Sequence, residues 1–81
     1  MSDYLLTFEL GPEKNELDIC TDTPGLEYLI DQLSRLLEST KKKKTEHIHL
    51  FTEEWGGYEL SSQNQVGKLL NKVTIHCWNA D

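Results

Sequence analysis

The chain has only two cysteines, Cys20 and Cys77. That is too few for a disulfide framework, and neither belongs to a C-x-x-C pair. Both are expected as free, buried thiols of a reducing compartment. No stretch approaches the ~18 apolar residues of a membrane span. The opening Met1-Ser2-Asp3-Tyr4 has neither a positive n-region nor a long apolar h-region, so no secretory leader and a cytoplasmic location are expected. Signature motifs of catalysis are also missing: there is no G-x-S-x-G, P-loop, G-x-G-x-x-G or H-E-x-x-H. Gly56-Gly57 is too short to cradle a phosphate. His76 and Cys77 are neighbours, so on a strand they point to opposite faces and form no nucleophilic dyad. Cys20 with a distant histidine stays open.

What remains is small and acidic. With 81 residues, 37% hydrophobic and 27% charged, the chain has room for a single domain spanning 1–81 and enough apolar content to fold. The net charge of −6 is uneven: residues 1–40 carry nine acids and two bases, residues 41–81 five acids and six bases. An acidic half repels nucleic acid and anionic membrane and draws basic proteins. The plain alternative is that it only keeps the protein in solution.

Tyr4, Leu6, Phe8 and Leu10 alternate with other residues and predict a first strand. A turn over 11–15 leads to a second strand over 16–21, with Leu17 and Ile19 facing in. Thr23 is placed to cap a helix with Pro24 in its first position. Leu26, Leu29, Ile30, Leu33, Leu36 and Leu37 then recur as one apolar stripe. The four lysines at 41–44 read as a solvated helix exit. A third strand covers 45–51, a long polar connection 52–70, and a last strand 72–78. The expected fold is α+β: ββαββ, a four-stranded, mainly antiparallel sheet in the order 2-1-3-4, with one amphipathic helix on one face.

The face away from the helix is expected to offer Thr7, Glu9, Glu16, Asp18, His47, His49, Phe51, His76 and Trp78, a mixture suited to docking. Strand spacing allows His47, His49 and His76 to meet, which would suit zinc or a similar ion. Ordinary semi-exposed strand histidines are the plainer reading, so neither metal nor cofactor is expected. The connection carries Glu53-Glu54-Trp55-Gly56-Gly57-Tyr58-Glu59. Its adjacent acids read as solvated loop carboxylates. Trp55 either folds back over the sheet or is offered to a partner as an anchor.

The strings Gly25-Leu26-Glu27-Tyr28-Leu29-Ile30, His47-Ile48-His49-Leu50, Trp55-Gly56-Gly57-Tyr58-Glu59-Leu60 and Val73-Thr74-Ile75-His76-Cys77-Trp78 occur in that order. Together they resemble the short bacterial immunity proteins of polymorphic toxin systems, in particular immunity protein family thirty-two. The likeness runs over nearly the whole chain, and H-I-H-L followed by W-G-G-x-E-L is its most specific part. It implies a cytoplasmic antidote, not an enzyme, that binds and occludes a cognate toxin domain. No catalytic residue carries over. The expected contacts are Asp18, Glu53, Glu54, Trp55, Tyr58, Glu59 and Trp78, on a monomer or weak homodimer. An acidic surface would suit a basic toxin.

Overall fold

The period-two pattern of the first segment gives a strand because alternate side chains fall on one face. In the computed structural model, which describes residues 3–13 and 15–80, β1 runs Leu6–Leu10. It pairs antiparallel with β2, Leu17–Thr21, placing Phe8 opposite Ile19 and Glu9 opposite Asp18. The Gly11 N–H donates to the Glu16 carbonyl at 2.9 Å to close the turn. Lys14, within the turn expected over 11–15, lies outside the described residues.

The helix α1 spans Thr23–Thr40. Its cap is Asp22, one residue before the expected Thr23: the Asp22 Oδ1 accepts the Gly25 N–H at 2.8 Å. A carboxylate satisfies an orphan donor and also complements the positive helix end, so it takes the role from the hydroxyl. Pro24 then sits in the first turn, where a missing N–H costs nothing. Gly25 is required by close approach, since a Cβ there would lie 1.8 Å from the Leu5 carbonyl oxygen. Of the expected stripe, only Leu29 and Leu36 are buried, while Leu26, Ile30, Leu33 and Leu37 are exposed. The apolar arc is wider than the contact that the strands make with it.

The strand β3, Thr45–Phe51, is joined by a long connection to a short β4, Lys68–Leu69, and then to β5, Lys72–Trp78. The α+β class, with one helix against antiparallel strands, stands. The sheet itself differs: among the described residues five strands form two sheets, β2-β1-β4 and β3-β5. The expected direct pairing of the first and third strands does not form. Leu60 and Ser61 come between them. The Leu60 N–H donates to the Phe51 carbonyl at 3.0 Å and the Ser61 N–H to the Leu6 carbonyl at 2.8 Å. The Leu6 N–H in turn donates to the Ser61 hydroxyl at 2.9 Å. A serine can supply both a donor and an acceptor, so it replaces a ladder rung. Further on, the Leu70 N–H donates to the Phe8 carbonyl at 2.9 Å and the Thr52 N–H to the Asn71 carbonyl at 3.0 Å. The chain thus passes from β1 to β3 between residues 70 and 71.

Leu6, Phe8, Leu29, Leu50 and Leu60 form the core, with Tyr4, Tyr28, Leu70, Val73 and Ile75 packed against it. Leu17 and Ile19, expected to face in, are exposed, because β2 is an edge strand that the helix leaves largely uncovered. Thr7 and Glu9, expected on an open face, are fully buried. The connection folds across them. One Glu9 oxygen accepts from the Val66 and Gly67 N–H groups at 2.8 Å, and the Gln65 N–H reaches both oxygens at 2.9–3.0 Å. The Thr7 hydroxyl donates to it as well. Burial alone would raise the Glu9 pKa, but these donors outweigh it and hold the carboxyl at about 2. Among the described residues, no helix is long and apolar enough to cross a membrane.

Glu9→Gln places an amide donor against backbone donors and is expected to cost roughly 2–4 kcal/mol, read by denaturant unfolding. Because the folded-state pKa is depressed, Glu9 contributes stability above its ordinary 4.5, and that contribution is lost as pH falls towards 2. The melting temperature of the wild type should therefore drop across this acid window, and that of the Glu9→Gln variant should drop less.

Candidate functional site

The stretch after β3 is shaped by backbone bonds before its side chains matter. The Thr52 carbonyl accepts the Trp55 N–H at 3.0 Å and the Gly57 N–H at 2.9 Å. Residues Glu53–Trp55 form a single 3-10 turn, closed by Gly56 at φ 87. That left-handed conformation favours glycine. The buried Thr52 hydroxyl donates to the Asn71 side chain at 2.7 Å, so the turn stands on a fixed base. The result is a knob on which Glu53 and Glu54 are exposed, Trp55 is 57% exposed and Tyr58 is 73% exposed. Trp55 does not fold back to close the sheet.

Of the expected contacts, Glu53, Glu54, Trp55 and Tyr58 are brought together here. Glu59 is next to them but has a different task. Its Oε1 accepts the Phe51 N–H at 2.9 Å, and its carbonyl accepts the Tyr4 hydroxyl at 2.9 Å. It ties the far end of the knob to β3. Tyr4 stacks on Tyr28 at 5.0 Å, and its burial, together with Tyr28 beside it, pushes its pKa up. A shallow cleft of about 190 Å³ lies beside the knob, lined by Tyr4, Glu53, Tyr58, Leu60, Ser61, Ser62 and Gln63. Small-molecule sites begin near ~300 Å³, so this one has room for a single side chain. A cleft that holds one carboxylate and two tyrosines suits a lysine or arginine.

Asp18 and Trp78 lie elsewhere. Asp18 is half-buried on β2, opposite Glu9. Trp78 closes the β3–β5 ladder at its Thr45 end, a strand length of about 20 Å from the knob. It belongs to a second surface, the face of β3 and β5 away from the core. There His47 is directly opposite His76. Ring centroids are 4.8 Å apart for His47 and His49, 5.5 Å for His47 and His76, and 5.7 Å for His76 and Trp78. Phe51 extends the row, with the Lys72 Nζ 5.9 Å from its ring centroid. The His49 Nδ1 lies 3.0 Å from the Thr74 hydroxyl. Burial, then the nearby His47, Lys72 and His76, lower the His49 pKa. The three histidines do share a face, as strand spacing suggests. They pack as a row of rings: among the described residues, no group of three or more His, Cys, Asp or Glu is placed to hold a metal ion.

Comparison with protein-family models, with curated proteins and with solved structures finds no match. The site therefore stands on its own geometry. Tyr4, Ser61, Ser62 and Gln63 are the cleft residues that the sequence pattern does not assign to it. Tyr4 reads as a strand residue, and its contact with Glu59 spans 55 positions, which no local pattern reports.

Glu59 and Glu54 separate the structural acid from the free one. Glu59→Ala is expected to cost about 1–2 kcal/mol in thermal or chemical unfolding, since it strands the Phe51 N–H. Glu54→Ala should stay within about 0.5 kcal/mol.

Proposed function

We propose that this chain is an immunity protein: a small cytoplasmic antidote that binds a cognate bacterial toxin domain and occludes it, and not an enzyme. The observation that carries the proposal is the knob after β3, where exposed Glu53 and Glu54 lead into exposed Trp55 and Tyr58. Aromatic anchors supply most of the energy of an interface, and acids around them steer a basic partner and raise its on-rate. The adjoining cleft, lined by Glu53, Tyr4 and Tyr58, is the size of one side chain and of the right chemistry for a lysine or arginine. The net charge of −6 works in the same direction over longer range.

Two further points support this reading. Occlusion needs no reacting group, and what the knob and its cleft offer is anchors and charge. The knob is also built from Trp55-Gly56-Gly57-Tyr58, the segment that carries the most specific part of the resemblance to immunity protein family thirty-two. The toxin is a protein with a basic face. A toxin that attacks nucleic acid would have one, since it must approach phosphates. Within the knob, Glu53 and Glu54 provide charge while Trp55 and Tyr58 provide the buried area. Glu59 holds the knob in shape.

The test is a rescue assay. The C-terminal domain of the protein encoded immediately upstream is expressed with and without this chain, and surviving cells are counted. Rescue together with co-purification is expected. A toxic domain that this chain neither rescues nor binds sinks the pairing. In the purified complex, Glu53→Lys with Glu54→Lys is expected to weaken binding by roughly 10- to 100-fold and to flatten its salt dependence. Unchanged affinity in that variant would remove the knob as the contact.

A further inference from the structure

Two features on one side of the molecule are left unused by the knob. The first is the helix stripe. Leu26, Ile30, Leu33 and Leu37 are 47%, 54%, 41% and 51% exposed, and their 4-3-4 spacing draws one line along α1. The buried helix residues Gly25, Leu29, Leu36 and Thr40 fall on the neighbouring arc, so the stripe lies beside the core contact. The second is the edge of β5. Its ladder partner is β3, and no backbone hydrogen bond joins its other edge to a described residue. This edge is seven residues long, has no proline, and carries one charge, Lys72, at its start. Natural edges of this length are normally blunted by inward charge, proline or a bulge, because an unblunted edge pairs with another strand. The two features adjoin: a cavity of about 230 Å³ is lined by Leu37 and Thr40 of α1 and by Cys77 and Trp78 of β5.

We propose that two copies of this chain pair about a two-fold axis, β5 antiparallel to its own copy, with the exposed α1 stripes of both copies meeting on the helix side of the joint. An antiparallel edge is self-complementary under a two-fold rotation, so one unpaired strand satisfies both copies. The joint itself is apolar, four exposed leucine and isoleucine side chains beside a strand whose one charge is Lys72, which a matching stripe on a second copy covers better than a charged partner does. Asp31 pairs with Arg35 at 2.9 Å and Glu38 with Lys41 at 3.1 Å on the solvent side of the helix. These pairs cancel four charges on the helix surface and leave Glu27 as its exposed acid near the stripe. The strand's midpoint, Ile75, is the natural centre. It places Val73 opposite the partner's Cys77 and Lys72 opposite the partner's Trp78. Val73, Ile75 and Cys77, half-buried in one copy, then gain cover from the other. The pairing does not depend on what the acidic knob grips, and it leaves both knobs free.

Sedimentation of the purified chain over a concentration series should show a dimer mass. Ile30→Glu with Leu33→Glu changes exposed positions, so the fold should persist by circular dichroism while the dissociation constant rises about tenfold or more. Val73→Cys tests the register. Within one chain, residues 73 and 77 are separated by ~13 Å of strand, too far for a disulfide. Under oxidation, a cross-linked dimer is expected in Val73→Cys and not when Cys77→Ser is added. A single-chain mass for the wild type at every concentration overturns the proposal. So does a dimer that survives the double substitution and gives no cross-link.

Discussion

One buried carboxylate holds the second half of the chain to the first. Glu9 sits near the end of β1, a strand covered on both faces, and a carboxylate there is tolerable only if donors replace its water. Three consecutive backbone N–H groups, from Gln65, Val66 and Gly67, do so together with the Thr7 hydroxyl. That contact fixes the end of the connection and so sets β4 alongside β1. It also sets the point where the chain leaves β1 for β3, and thereby the start of β5. Without it, the outer face of β1 would be open and the connection unanchored.

The knob depends on a separate set of ties. Thr52 is bound to Asn71, while Leu60 and Ser61 bridge Phe51 and Leu6. Both ends of the protruding segment are therefore pinned to strands, and Glu59 braces it from within. A surface loop fixed in this way loses less entropy on binding than a free one. At the other end of the helix, Glu46 plays a similar bracing part. It accepts from Lys43 at 2.7 Å, Ser39 at 2.9 Å and the His47 N–H at 3.1 Å, which hold its carboxyl at about 2.

Much of this frame is legible in the sequence, because it rests on local periods. Alternation marks β1, β3 and β5, and the helical stripe with Pro24 marks α1. The knob is legible too, since its residues are contiguous and glycine marks its turn. What escapes is set by partners distant in sequence. Glu9 alternates like an outward residue, and nothing in the polar stretch at 62–67 announces that its backbone will cover it. The period of the helix shows which residues are apolar but not how wide an arc the strands will cover, so Leu26 and Leu29 look equivalent. Glu54 and Glu59 look equivalent as well. Only the position of the Phe51 N–H distinguishes the brace from the free acid.

The Glu9 clasp has a bearing on how such a chain can change over generations. It recognises main-chain N–H groups, which every residue except proline carries, and of its three donors only Gly67 is fixed by space, since a Cβ there would lie 2.3 Å from the Leu10 carbonyl oxygen. The exposed positions at 62–66 can therefore accept substitution after substitution while the segment keeps its path. A protein whose partners change can acquire new surface chemistry here without rebuilding its interior. Drift in this segment is constrained mainly by backbone geometry, and the cleft that it borders can be reshaped from that side while the strands beneath stay as they are.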